Sequence, residues 1–584
     1  MDPYRVVVTT HEPVAVWAPD AERIQLIIDD STVVEMTKDD EWFRTNRPEG
    51  ARRYGFRIDA SDEALPDPRS PRQPDGVHEA SAFWSPDESV WTDSSWAGVP
   101  VQGSVIYELH IGTFTPEGTF DAAIARLDHL VSLGVDLVEI MPVNAFNGTH
   151  GWGYDGVDWY AVHETYGGPD GLMRFVDACH ARGLGVVLDV VYNHLGPSGN
   201  YLPRFGPYLS DGSNSWGQTP NLDGAHSDEV RAYIIDNALR WFREFHIDAL
   251  RLDAVHALVD HTAVHILEEL AVRTEALSRE LGRPLGLIAE SDLNAPQLIT
   301  GRERGGFGLT AQWNDDVHHA IHVNVSGETQ GYYADFQGLQ ALQKVLQEGY
   351  FHALTYSSFR GRRHGRPIDR EHTPASALVV YTCDHDQVGN RALGDRPSAY
   401  LTPGQLAVKA ALVLLSPFTA MLFMGEEWGA STPFQFFTSH PEAELGKATA
   451  EGRKSEFAAH GWNSEDIPDP QDPETFTRSK LDWSELDVNP HREILEFYTA
   501  LIELRKTTPE FAADTFDSIS VDVDPDAGWL VMKRGTMAVL CSFGDTATTV
   551  PLHIAPVLSY ALIADTPEGT ALGGHNVAVG RIVA

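Results

Sequence analysis

Cysteine is scarce in this chain of 584 residues. The three present, Cys179, Cys383 and Cys541, are odd in number, far apart and never in a CxxC pair. That argues against a disulfide framework or a zinc site and suits free buried thiols in a reducing compartment. Long apolar runs are missing too. No stretch reaches the roughly 18 residues of a membrane span. The opening residues, Met1 to Thr10, have no apolar core of signal-peptide length, so a cytoplasmic protein is expected. Positive charge is in short supply: 43 Lys and Arg stand against 84 Asp and Glu, a net charge of −41. No lysine occurs between Lys38 and Lys344, a bias we assign to genome or habitat. Such a surface repels phosphates, which argues against nucleic acid or an anionic membrane as partner; a neutral substrate is compatible. The chain also lacks a Walker A loop, an HExxH, a Ser/His/Asp triad spacing and a dinucleotide glycine pattern.

What is present is ordinary for a globular protein: 42% hydrophobic and 22% charged residues. The length predicts about three or four domains. Residues 1–97 read as an N-terminal β-sandwich followed by a Pro-rich connector, Leu65 to Gly76. Within it, Val33-Val34, Lys38 to Glu41 and Trp42-Phe43 together read as a hairpin. From Ser104 the pattern turns to strand–helix alternation. Val105 to His110, Val135 to Met141, Leu184 to Asp189 and Ile247 to Asp253 are strand candidates, and further units end at Glu290, Trp313, Asp386 and Met424. Thr119 can cap a helix with Ile124, Leu127, Leu130 and Val131 at helical spacing. The expected fold class is α/β, a (β/α)8 barrel over residues 98–512, with a loop subdomain around 193–225. Ile494 to Leu504 reads as the final barrel helix. Residues 513–584 read as a small antiparallel β domain, with a hairpin between Trp529 to Met532 and Met537 to Leu540.

Chemistry concentrates at three predicted strand ends, each closing on a carboxylate: Asp253, Glu290 and Asp386. Strand alternation puts Ile247, Ala249, Arg251 and Asp253 on one face. If that face points inward, Arg251 lies one layer below Asp253 and keeps it ionised, as a nucleophile requires. Asp189 could pair with the same arginine; a purely structural ion pair is the alternative. Glu290, after Leu287-Ile-Ala, would be partly desolvated and so suited to general acid work; a solvated loop glutamate is its alternative. His194 and His385 fall at predicted strand ends, where each could donate to a sugar hydroxyl. Trp152, Tyr154 and Trp216 lie in Gly-rich loops and could stack on sugar faces; core packing is the ordinary fate of such rings.

These residues resemble the α-amylase superfamily, the retaining family 13 glycoside hydrolases. Asp189 to His194, Leu250 to Asp253, Ala289-Glu290 and His385-Asp386 are similar to its four short sequence regions, in order and suitably spaced. The resemblance implies that Asp253 is the nucleophile, Glu290 the acid/base and Asp386 the stabiliser of a distorted sugar. It also implies that Arg251, His194 and His385 line the attacked glucose, with Asp189 in support. Finer features resemble one subfamily, the maltooligosyltrehalose trehalohydrolases, over nearly the whole chain. They include Gly151-Trp-Gly-Tyr-Asp-Gly-Val157, Phe205-Gly-Pro-Tyr208, Ala289-Glu-Ser-Asp-Leu-Asn294, Gln312-Trp-Asn-Asp-Asp316 with His318 and His319, and His385-Asp-Gln-Val-Gly-Asn390. Phe423-Met-Gly-Glu-Glu427 and Phe434-Gln-Phe-Phe437 add to the match. Branching enzymes usually carry Glu-Glu-Ser-Thr at the acid/base and His-Asp-Glu near the third carboxylate. The chain departs from both patterns. Asp384 stands where many amylases have Asn. Asn193 resembles a calcium ligand of some amylases but has no convincing companions, so no metal is expected, and no cofactor.

The resemblance implies hydrolysis of the α-1,4 bond beside the terminal trehalose of a maltooligosaccharide, releasing trehalose with retention. It also implies a metabolic partner, maltooligosyltrehalose synthase, that makes this substrate. The alternatives are a 1,4-α-glucan branching transferase and a non-catalytic glucan-binding protein; the intact trio Asp253, Glu290 and Asp386 argues against the last. A site for trehalose must hold the leaving glucose pair. His256, Asp292 and Trp216 are the candidates for those contacts.

Overall fold

Strands buried on both faces need apolar residues at nearly every position, and eight such segments close into a barrel. In the computed structural model, which describes residues 13–214, 217–459 and 467–583, they are β1 (Val105–Leu109), β2 (Leu137–Ile140), β3 (Gly185–Val190), β4 (Ala249–Leu252), β5 (Gly286–Ala289), β6 (Ala311–Trp313), β7 (Leu378–Tyr381) and β8 (Thr419–Phe423). Each pairs in parallel with the next, and β8 pairs with β1.

Helices wrap this barrel, among them Gly168–His180, Ser227–Glu244, Ile266–Leu281, Asp315–Ser326, Pro403–Leu414 and His491–Thr507. Thr119 caps its helix by accepting from the Ala122 amide, although that helix breaks into Phe120–Ile124 and Leu127–Leu133. Only two 3-10 turns, Pro296–Leu298 and Arg302–Arg304, separate β5 from β6. Pro296, Gly301, Gly305, Gly306 and Gly308 make an α-helix costly there.

The barrel interior is layered. Ile106, Leu137, Val187, Ala249, Ile288, Ala311, Val379 and Met421 fill one apolar layer. Two residues further along the first five strand segments stand Glu108, Glu139, Asp189, Arg251 and Glu290. A period of two keeps them on the inward face. The interior therefore turns from hydrocarbon to charge at the carboxyl ends of the strands, where barrel enzymes do their chemistry.

On the amino-terminal side are two small antiparallel sheets. One joins Val14–Trp17, Trp42–Thr45 and Thr37–Asp39; the other joins Thr32–Glu35, Ile24–Ile28, Arg53–Ile58 and Ser81–Ala82. The expected hairpin thus forms between Thr37–Asp39 and Trp42–Thr45, but Val33 and Val34 pair with Ile27 and Leu26 in the other sheet. The chain changes sheets at Met36, whose buried side chain anchors the crossover. The Gly-rich segment after Asn193 contains a short helix, Leu202–Phe205, and a hairpin of Leu209–Asn214 with Gly217–Pro220. It leans on the amino-terminal sheets, with Tyr208 edge-on to Trp17 at 5.0 Å and Phe205 against Phe56 at 6.1 Å.

After the last barrel helix come a five-stranded and a three-stranded antiparallel sheet. Trp529–Arg534 and Met537–Ser542 form the expected hairpin. Its two-residue turn begins at Gly535, where φ of +56° favours glycine. Cys179, Cys383 and Cys541 are buried and unpaired. Among the described residues no helix is long and apolar enough to cross a membrane.

Candidate active site

One buried guanidinium organises the mouth of the barrel. Asp189 and Arg251 are register partners on β3 and β4. Arg251 Nη1 donates to Asp189 Oδ1 at 2.9 Å, Asp189 Oδ2 at 3.0 Å and Asp253 Oδ1 at 2.7 Å. Its Nη2 lies 3.9 Å from Glu290 Oε2 and makes no hydrogen bond. The Trp313 ring covers the guanidinium at 4.4 Å, which keeps water off it. Asn193 Nδ2 donates to the other Asp253 oxygen at 2.7 Å. Asp253 therefore has one oxygen on a cation and the other on an amide, an arrangement that fixes its carboxylate in place.

Glu290 is held from the backbone. Its amide donates to the Leu252 carbonyl and its own carbonyl accepts from Val255, which continues the β4–β5 ladder past the strand ends. Between them Ala254 adopts a left-handed conformation, φ 40° and ψ 51°. That backbone costs a non-glycine residue about 1–3 kcal/mol. It also turns the Ala254 amide onto Glu290 Oε2 at 2.6 Å. Burial pushes the Glu290 carboxyl up to about 8; Arg251 pulls it down, and Asp253, Asp315 and Asp386 push it further up. The group is thus protonated near neutral pH.

His385 and Tyr154 form the adjoining wall. Glu108 on β1 accepts from both the amide and Nδ1 of His385. Burial opposes a charged ring, but Glu108, Asp386 and Asp384 outweigh it and raise His385 to about 10. The Tyr154 hydroxyl donates to Asp189 Oδ2 at 2.6 Å and accepts from His385 Nε2 at 2.9 Å. Tyr154→Phe would remove the partner of His385 Nε2, at about 1–3 kcal/mol of stability, while Asp189 Oδ2 keeps its bond from Arg251. A Tm lower by about 1–3 °C and a roughly tenfold fall in kcat/KM are expected from calorimetry and steady-state rates. An unchanged Tm would mean that the bridge contributes nothing.

Glu290, Asp292, Trp313, Asp315, Asp384 and Asp386 share one cleft of about 230 Å³. Asp386 is half exposed and is not at a strand end: β7 stops at Tyr381, and Asp386 sits in the first turn of the helix His385–Gly389. Asp384 is that helix's N-cap, bonded to the Gln387 amide at 2.9 Å, which accounts for a short polar residue there. Asp292 pairs with Arg360. His256 is exposed on the turn Val255–Ala257 and is not among the residues lining the cleft. His194 is buried, its ring nitrogens facing Asn193 Oδ1 at 2.7 Å and the Tyr154 carbonyl at 3.0 Å. Trp152 is no platform: it is buried, stacked on Phe434, and donates to the Gln435 carbonyl. Trp216 lies outside the described residues.

Several contributors were not singled out from the sequence as site residues. Glu108 fixes His385, and Tyr381 donates to Asp315 at 2.5 Å. Glu139 is buried with neither oxygen hydrogen-bonded, and burial holds its carboxyl well above the usual range. Their signal was a carboxylate inside an apolar strand, Val105-Ile-Tyr-Glu108-Leu and Leu137-Val-Glu139-Ile. Among the described residues no group of three His, Cys, Asp or Glu side chains is placed to hold a metal ion.

Known proteins resemble this chain at several levels. The alpha amylase catalytic domain matches residues 83–206. A malto-oligosyltrehalose trehalohydrolase of Mycobacterium tuberculosis is 59% identical over 571 residues, 97% of this chain and 98% of the relative. One from Arthrobacter ramosus is 58% identical over 574 residues, 97% of this chain and 99% of that one. A crystal structure of a Salmonella typhimurium chain, described there as an alpha amylase, superposes with a TM-score of 0.88 at 37% identity, covering 98% of this chain and 97% of its own. Identity of this order over whole chains leaves one assignment: the chain belongs to the malto-oligosyltrehalose trehalohydrolase family, within the alpha-amylase glycoside hydrolases.

Proposed function

We propose that this enzyme hydrolyses the α-1,4 bond next to the terminal trehalose of a maltooligosyltrehalose, with retention of configuration. The observation that carries the chemistry is the shared guanidinium: one Arg251 nitrogen bonds Asp253 and the other faces Glu290. The substrate class rests on the full-length relatives and their name.

In the first step an Asp253 oxygen attacks the anomeric carbon while protonated Glu290 gives its proton to the departing glycosidic oxygen. Trehalose leaves and a glycosyl ester remains on Asp253. Glu290, now a carboxylate, takes a proton from water as that water attacks the same carbon from the vacated face. The two inversions restore the original anomer. Asp386, Arg251, His385, Tyr154 and Asp189 surround the attacked glucose. His194 acts through Asn193 and the Tyr154 backbone. Asp292 is assigned to the leaving pair; His256, exposed and outside the cleft lining, is given no contact with it. The substrate must come from a reaction that converts the reducing end of a maltooligosaccharide into a trehalose unit, the work of a maltooligosyltrehalose synthase in the same compartment, which we take to be the cytoplasm.

Parallel incubations with maltooligosyltrehalose and with amylose test this reading. Free trehalose from the first and no new α-1,6 branches from the second are expected. Branch formation would assign the same carboxylates to a transferase, and no product from either would leave only a binding protein.

A further inference from the structure

Of the three carboxylates, Asp386 is the one the barrel does not hold. Asp253 takes hydrogen bonds from Arg251 and Asn193, and Glu290 takes one from the Ala254 amide. Asp386 stands instead on the five-residue helix His385–Gly389, beyond the sheet. Among the described residues its carboxylate accepts one hydrogen bond, from Asn390 Nδ2 at 3.0 Å. His385 Nε2 lies 3.6 Å away. Asn390 is exposed, and a free amide there could turn either edge toward Asp386. Arg453, half-buried on the helix Ala443–Ala459, prevents that. Its Nη1 donates to Asn390 Oδ1 at 3.3 Å and its Nη2 to the Gly389 carbonyl at 2.5 Å. A guanidinium only donates and a carboxylate only accepts, so an amide between them has one orientation. The Gly389 carbonyl belongs to the last turn, where a helix leaves its acceptors without intrahelical partners and a cation is favoured. Packing fixes the same geometry. A Cβ at Gly389 would collide with the Trp152 ring, so the helix lies directly on that ring. Trp152 meets Phe436 edge-on at 5.2 Å, and the Arg453 guanidinium lies 5.2 Å from the Phe436 ring centre.

We propose that Arg453 is a positioning residue for the hydrolysis: through Asn390 and the end of the short helix it holds Asp386 toward the attacked glucose. It acts on the carboxylate and not on the sugar. This rests on the function proposed above, in which Asp386 meets the attacked glucose, and adds the part that fixes that carboxylate. A group that stabilises a distorted sugar must stand in place before the transition state is reached. Its contact is strongest there, so loosening it lowers kcat more than it raises KM. Two residues of the run His385 to Asn390 thereby gain a use. Gly389 seats the helix on Trp152, and Asn390 passes the hold of the arginine to Asp386.

The test compares the parent enzyme with Arg453→Met, which keeps an unbranched side chain over Phe436 and removes the donors. On maltooligosyltrehalose, kcat should fall about 10- to 100-fold while KM stays within about threefold. Tm should stay within about 2 °C. Arg453→Lys, a donor on a flexible stem without the planar fork, should recover part of the loss. Asn390→Ala should lower kcat alike, and the two changes together should cost little more than either alone. The decisive measurement starts from Asp386→Ala, whose own kcat should be far below that of the parent. Adding Arg453→Met to it should cost less than about twofold more, since the carboxylate to be held is already gone. An unchanged kcat in Arg453→Met, or its full loss repeated on Asp386→Ala, overturns the proposal. Full activity of Asp386→Ala alone would instead sink the role of Asp386 in the catalytic reading, and this proposal with it.

Discussion

Glu290→Gln is expected to lower kcat by about 10²–10⁴-fold and to erase the alkaline limb of the kcat/KM profile. The sign follows from the role. A general acid works protonated, and burial raises Glu290 to about 8. Wild-type kcat/KM should therefore hold through neutral pH and fall as pH rises through that value. Glutamine keeps the shape and the contact from the Ala254 amide but has no proton to give. Asp253→Asn should cost more, on the order of 10⁴-fold or beyond, because the covalent step itself is lost. Proton NMR of the first-formed sugar reports retention directly; the inverted anomer would require carboxyl groups much further apart than the roughly 5–5.5 Å of a retaining pair. If Glu290→Gln leaves both rate and limb intact, the acid lies elsewhere in the cleft, and Asp315 is the next candidate.

A plain maltooligosaccharide should be cleaved about 30- to 150-fold less efficiently, in kcat/KM, than a trehalose-ended one of equal length. Trehalose has no reducing end, so a site that prefers it must grip both leaving glucoses by shape and by their hydroxyls. Losing two or three such contacts at about 1 kcal/mol each gives that range. If the contacts strengthen in the transition state, the loss appears in kcat. Asp292, in the cleft wall and paired to Arg360, is the group to alter. Asp292→Ala should narrow the preference while leaving maltooligosaccharide cleavage nearly unchanged. Equal wild-type rates on the two substrates would remove the trehalose specificity and leave a general α-glucanase.

Much of the barrel was legible because its strands are short apolar runs between capped helices. β1 to β6 and β8 fall where the pattern placed them, to within a few residues. β7 does not. Leu378 to Tyr381 and the site residues Asp384 to Asp386 read as one run, yet the chain leaves the sheet after Tyr381 and turns into a helix capped by Asp384. A capping aspartate and a strand-ending aspartate look alike in one sequence. Alternation found Arg251 beneath Asp253, since a period of two is strict. Glu290 was reached differently, as a carboxylate closing the apolar run Leu287-Ile-Ala; in the structure it stands two residues past the interior Ile288. What neither route found were pairings set by closure of the barrel. Glu108 meets His385 across 277 positions of sequence, a distance over which no local pattern operates. For Tyr154 the Gly-rich surroundings suggested a ring free to stack on a sugar; the sequence did not show that its hydroxyl is also a strut between Asp189 and His385.

The joining of Asp253, Arg251 and Glu290 through one cation has a consequence in time. Part of what keeps the Glu290 proton in place is the negative charge on Asp253. On the proposed mechanism that charge disappears when Asp253 is esterified, while Arg251 keeps its own. The balance at Glu290 then tips toward the carboxylate at the moment the reaction needs a base. When water frees Asp253, its charge returns and Glu290 recovers its affinity for a proton. The pair works as an escapement, each stroke of the nucleophile resetting its partner, with no moving part. Carbon-13 NMR titration of Glu290 in a trapped glycosyl-enzyme should show a pKa well below that of the free enzyme; an unchanged value would mean that the two carboxyls keep independent time.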